Sequence, residues 1–92
     1  MIMGYSSGRY EVQISYGFAH RGGIRINDSD PWKNVAESTM NRYVRDVRAY
    51  ASGHADHIND VTNGSTGERL ITAYHWVNGF ENVRQLRIRK LF

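Results

Sequence analysis

The chain has 92 residues, 40% hydrophobic and 23% charged, with no cysteine and a formal charge of +3. That is enough for one domain with one thin core, and it excludes disulfides, thiolate catalysis, iron–sulfur clusters and cysteine-bound zinc. No apolar run approaches the roughly 20 residues of a membrane span, and the opening Met1-Ile2-Met3-Gly4-Tyr5 lacks the charged and apolar regions of a secretory signal, so a cytoplasmic protein with no membrane partner is expected.

Met1 to Gly8 is small, polar and glycine-containing, and reads as a flexible arm ahead of a single domain spanning 9–92. Tyr10, Val12, Ile14, Tyr16 and Phe18 then alternate with Glu11, Gln13, Ser15 and Gly17. Period two is the mark of a half-buried strand. His20-Arg21-Gly22-Gly23 breaks it and Ile24-Arg25-Ile26 resumes it, which predicts a hairpin with a glycine turn.

Asn27 to Pro31 reads as a stop followed by a start, with Asp30 placed to cap a helix and Pro31 at its first position. Trp32, Val35, Ala36, Met40, Tyr43, Val44, Val47, Tyr50 and Ala51 recur at helical spacing and make one apolar stripe. A start at Ser38 fits the same stripe. Arg42 and Asp46 have i,i+4 spacing for an ion pair, and Gly53 is placed to end the helix. His54 to Val61 fits a short helix or a strand. Asn63-Gly64 with Ser65-Thr66-Gly67 reads as a turn, Leu70 to Val77 as a central strand, and Asn78-Gly79 as a hairpin turn. In the last segment, Val83 to Phe92, Leu86 and Ile88 should face the core while Arg87 and Arg89 face out. The fold class that follows is α+β, a mainly antiparallel sheet of four to five strands in β-β-α-β-β-β order with one long helix on one face.

Ten of the twelve cations are arginine, a residue that binds carboxylates and phosphates bidentately and stacks on planar groups. Arg84, Arg87, Arg89 and Lys90 crowd the last strand, which places Arg87 and Arg89 on one face, close to a phosphate repeat. The candidate partners are RNA, DNA or an acidic protein surface; the plainer reading is a charged edge strand that resists aggregation. Arg21 and Arg25 of the hairpin, with Arg42, Arg45 and Arg48 of the helix, can extend the patch. Tyr74 and Trp76 alternate with His75, so one of these sets faces away from the helix and is available to a partner. Tyr16-Gly17-Phe18-Ala19 echoes the aromatic strand of RRM domains, but an RRM places that strand third, between helices, and here it comes first.

No metal, cofactor or small-molecule substrate is signalled. His54, Asp56, His57 and Asp60 lie close in sequence but read as a solvated polar turn rather than a convergent ligand set. A ribonuclease reading is open: His75, Arg87, Glu68 and Tyr74 have the acid–base chemistry of small toxin-type endoribonucleases, if adjacent strands bring them together. So is a plain nucleic-acid-binding module.

Taken whole, a cysteine-free chain of this size, with a tyrosine-containing first strand, one helix, later hairpins and an arginine-rich end, resembles the small phage anti-CRISPR proteins, nearest to inhibitors of type I-F surveillance complexes. These proteins share no diagnostic motif, so the resemblance carries over no single residue. It implies a non-enzymatic, stoichiometric inhibitor in the host bacterial cytoplasm. Such an inhibitor binds a CRISPR ribonucleoprotein and blocks its target DNA. A basic chain differs from the acidic DNA mimics and implies contact with acidic subunit surface and the guide RNA backbone. Arg84, Arg87, Arg89, Lys90, Arg21, Arg25, Tyr74 and Trp76 are the candidate partner-binding residues.

Overall fold

Two eleven-residue strands, β1 (Tyr10–His20) and β6 (Phe80–Lys90), lie antiparallel at the middle of a six-stranded sheet. The structure is a computed structural model that describes residues 8–21, 23–51, 57–77 and 79–91. Along the outer side of β1 run β2 (Gly23–Ser29) and, after a short break, β3 (Lys33–Val35). On the other side of β6 come β5 (Arg69–Val77) and β4 (Ile58–Thr62), giving the order β2-β1-β6-β5-β4 with every pairing antiparallel. One helix, α1 (Glu37–Tyr50), packs across one face. The chain is an α+β protein, in β-β-β-α-β-β-β order.

The expected alternation in β1 and β6 is present. Val12, Leu86 and Ile88 are buried with Ile71 of β5 beneath Met40 and Val47 of α1, while Arg87 and Arg89 are exposed. Complete burial of a side chain of this size stabilises the fold by about 1.5–3 kcal/mol. Tyr10, Ile14, Val35, Tyr43, Val44 and Ile58 close the rim of this core.

Both later turns follow from their residues. Val77 pairs with Phe80, which leaves a two-residue connection, and Gly79 takes a φ of 83° that a side chain would strain. In the β4–β5 turn the Asn63 side-chain Oδ1 accepts hydrogen bonds from the Ser65 and Thr66 amides at 2.8 and 3.0 Å, a local bond that favours turns over strands.

The chain departs from expectation between Asn27 and Ala36. Asn27 to Ser29 continue β2 rather than ending it, and Lys33 to Val35 form β3 rather than the first helical turn. The stripe residues Trp32 and Val35 therefore belong to sheet edge. Val35 still reaches the core, opposite Tyr10, so the helical spacing there was a coincidence of two elements facing the same core. The helix starts at Glu37 after Ala36, with neither Asp30 nor Ser38 as its cap. Asp30 instead accepts a hydrogen bond from the Tyr16 hydroxyl at 2.9 Å. Gly8, grouped with the arm, is buried, and its carbonyl accepts from Asn34 Nδ2 at 3.0 Å. Ile58 to Thr62 resolve as strand; Gly53, His54 and Asp56 lie outside the described residues. Arg42 and Asp46 form no ion pair, and with Thr39 and Tyr43 they line a shallow surface hollow.

Candidate binding face

A helix can cover only one side of this sheet, so the register decides what the other side presents. Residues paired across antiparallel strands share a face. The open side is built of rows that cross the strands. A central row runs Ser29, Ser15, Gln85, Thr72, Asn59. Ser15, Gln85 and Thr72 in it are buried, on the side of the sheet opposite to α1. Polar contacts run along the row: Ser15 and Ser29 hydroxyls are 2.8 Å apart, and Gln85 Nε2 donates to Thr72 Oγ1 at 3.3 Å.

Toward one end of this row the face is apolar. Ile26, Gly17, Val83 and Tyr74 make the next row, followed by Ile24, Ala19, Glu81 and Trp76. Trp76 is 51% exposed, Ile24 40% and Ile26 39%. Gly17 and Ala19 of β1 add little bulk beside the isoleucines of β2, and Val83 and Glu81 of β6 stand between them and the aromatics of β5. Gly17 is required by the bulge where β2 crosses it: a Cβ would collide with the backbone carbonyl of Arg25. His57 stands at the rim, Nδ1 3.1 Å from Glu81 Oε2 and edge-on to the Tyr74 ring.

Toward the other end the face mixes charged, polar and apolar side chains, with Val61 52% exposed. Gln13, Arg87, Leu70 and Val61 form one row; Asn34, Glu11 and Arg89 form the next. Arg89 lies 4.0 Å over the Trp32 ring and donates from Nε to Glu68 Oε2 at 2.8 Å. Arg87 makes no ion pair among the described residues.

The eight residues singled out from sequence therefore divide. Arg87, Arg89, Tyr74 and Trp76 share the open face. Arg84 does not: it points to the helix side, its guanidinium 4.1 Å from the Tyr50 ring and 5.3 Å from the Tyr16 ring. Lys90 pairs with Tyr10 and Arg25 with Phe18, on the helix side as well, and Arg21 lies in the turn after β1. The arginine cluster of the last strand is contiguous in sequence and split in space. On the open face two arginines meet Glu11, Glu68 and Glu81, so that face is not a basic surface.

The ribonuclease set is split too. His75 packs against the Tyr50 ring, centroids 5.2 Å apart and tilted by 41°, on the helix side, whereas Tyr74 and Arg87 are on the open side and Glu68 is engaged by Arg89. Asp60 is held by Arg69 at 2.7 Å and Arg48 at 3.3 Å, and the Arg69 hydrogen bond is the chief cause that lowers its pKa. Among the described residues no group of three His, Cys, Asp or Glu side chains converges as a metal site. No described helix is long and apolar enough to cross a membrane.

Sequence reading missed Ile24, Ile26, Gly17, Ala19 and Trp32 as surface features. The signal for the first four was present in the parity of β1 and β2, but the bulge at Asn27 had to be known to place Ile24 and Ile26. What the fold and this face define is an open-faced helix-on-sheet protein. No protein-family model, no curated protein and no solved structure matches the chain.

Proposed function

We propose that this chain is a stoichiometric binding protein that docks on a macromolecular complex through its open sheet face, and that the complex is a CRISPR RNA-guided surveillance complex of type I-F, whose target DNA it blocks. The observation that carries the binding half of this reading is the open face itself. Trp76, Ile24 and Ile26 are exposed in one region of it, on the same face as a row of buried polar groups and as Arg87, which makes no ion pair among the described residues. Large apolar side chains grouped at the surface mark an interaction site. The identity of the complex comes from the resemblance of the whole chain to small phage inhibitors.

Arg87, Arg89, Tyr74 and Trp76 are the contact residues of this reading. Arg84, Arg25 and Lys90 serve the helix side of the sheet and are not part of it. The test is co-elution of the purified protein with the assembled type I-F complex, together with plaque formation by a targeted phage in cells that express the protein. Co-elution at fixed stoichiometry with restored plaques is the expected result. Neither occurring removes the identity of the complex.

A further inference from the structure

We propose that two copies of this chain pair edge to edge through β2, antiparallel about a twofold axis between Ile26 and Asn27, with Arg25 of each copy set against Asp28 of the other. This goes beyond the reading above and does not depend on it. β2 is the last strand on its side of the sheet: β1 lies along one flank and no described strand along the other. Its outer backbone N–H and C=O groups therefore make no ladder among the described residues, over seven residues or about 24 Å. All seven residues are exposed, Ile24 by 40% and Ile26 by 39%, and none is proline or lysine. A free edge of this kind is a template for another strand. The opposite edge is better guarded, since β4 has five residues and its Asp60 carboxylate is held by Arg69 and Arg48.

The bulge selects the occupant. Tyr16 pairs with Asp28 and Gly17 with Ile26, so Asn27 is an extra residue in β2. An ordinary strand laid along this edge either leaves Asn27 without a partner or changes face beyond it. A second β2 does neither, because it carries the same extra residue. With the axis between Ile26 and Asn27, these two residues of one copy face Asn27 and Ile26 of the other, and the faces stay matched on both sides. Charge agrees with this register. The extra residue is what puts Arg25 and Asp28 on one face, the helix side, opposite Phe18 and Tyr16. Neither makes an ion pair among the described residues. Across the axis each Arg25 meets the other copy's Asp28, and symmetry makes the pair twice. On the open side Ile24 falls opposite Ser29 and the two Ile26 flank the axis, so the exposed isoleucines of both copies join. This pairing closes on itself, whereas β2 of one copy against β4 of the next would repeat without end.

The experiment is sedimentation equilibrium of the purified full chain over a range of concentrations. It compares the wild type, Arg25→Asp, Asp28→Arg and the exchange that combines them, with Asn59→Arg on the β4 edge as control. Thermal melting of each variant reports folding, and every substituted residue is exposed. The wild type should show a monomer–dimer equilibrium. Its dissociation constant should rise at least about tenfold in each single variant, where like charges meet twice across the axis. The exchange restores opposite charges and should return the constant to within about threefold of the wild type, and Asn59→Arg should leave it unchanged. A wild type that stays monomeric up to about 1 mM overturns the inference. So does a dimer that the single variants leave intact, or that the folded exchange variant fails to restore, or that Asn59→Arg dissociates. Species that keep growing with concentration overturn it in favour of β2 pairing with β4 of the next copy. All of these outcomes leave the inhibitor reading where it stands, because the measurement contains no surveillance complex.

Discussion

The two faces of the sheet solve burial in opposite ways. On the helix side, Val12, Leu86 and Ile71 share the face beneath Met40 and Val47, and their burial is apolar against apolar. On the other side, one residue along, Ser15, Gln85 and Thr72 are nearly as buried, and their side chains make polar contacts, Ser15 with Ser29 and Gln85 with Thr72. Depth in a sheet is thus no guide to what a residue does. An uncovered row needs polar groups that water or a partner can meet, whereas a covered row cannot tolerate them without bonds. The cations follow the same division. Arg84, Arg69 and Lys33 belong to the helix side, and only Arg87 and Arg89 among the last strand's cations face outward on the open side.

The sharpest way to break this contrast is to cut equal depths on the two faces. Leu86 is fully buried under the helix and Val83 almost so on the open side. Leu86→Ala should cost about 2–5 kcal/mol, because rigid neighbours leave a cavity. Val83→Ala should cost about 1.5 kcal/mol, the transfer of two methyl groups with free collapse around them. Urea denaturation of both variants measures the pair. Equal losses would mean that the open face is packed as tightly as the core, and the distinction drawn between them would fail.

That contrast was only half legible in the sequence. Alternation is a local signal, so β1, the outward Arg87 and Arg89 and the inward Leu86 and Ile88 could be read from parity alone, and the two-residue Asn78-Gly79 turn from its chemistry. β3 could not. Asp30-Pro31 imitates a helix start, and Trp32, Val35 and Ala36 keep helical spacing. The long free edge of β1 pairs with Lys33 to Val35 instead, and tertiary pairing overrides local preference. The candidate site failed for a related reason. Arg84 is three residues from Arg87, an odd step, which puts it on the opposite face, and clustering in sequence had masked that. Ile24 and Ile26 join the open face through the bulge at Asn27, a feature of pairing that neither strand shows by itself.

A second contrast lies within the helix side, at its two charged rims. Tyr16 donates to Asp30 beside Arg84, and burial first, then that hydrogen bond, raises its pKa above the ordinary 10.0. Tyr16→Phe should cost about 1 kcal/mol at neutral pH, the net worth of one hydrogen bond. The phenol stays protonated in the folded chain at a pH where the unfolded chain has already lost the proton. Its contribution is therefore complete below pH 10 and is lost as pH rises through the folded pKa. Denaturation curves between neutral pH and the range just above 10 should show the gap between wild type and variant closing there. A gap that holds constant would mean that the bond to Asp30 does not favour the neutral phenol.

The smallest effect is expected at the opposite rim. The Arg69 hydrogen bond holds the Asp60 carboxyl below its ordinary value, with the nearby charges of Arg69 and Arg48 adding to it against a desolvation cost. The sign is opposite to that of Tyr16: the folded pKa is depressed, so the stabilisation is complete above the unfolded carboxyl value near 3.9 and disappears as pH falls through the folded one. The group is solvated, and exposed pairs contribute only about 0.2–1 kcal/mol, so Asp60→Asn should destabilise by no more than that at neutral pH and low salt. Added salt should shrink the difference, since the charges lie within reach of counter-ions. Urea titrations at neutral pH and below pH 4, at two ionic strengths, separate the cases. A loss that persists unchanged at acid pH and high salt would assign Asp60 a packing role between β4, β5 and α1, and the helix side would then be held at this rim by shape rather than by charge.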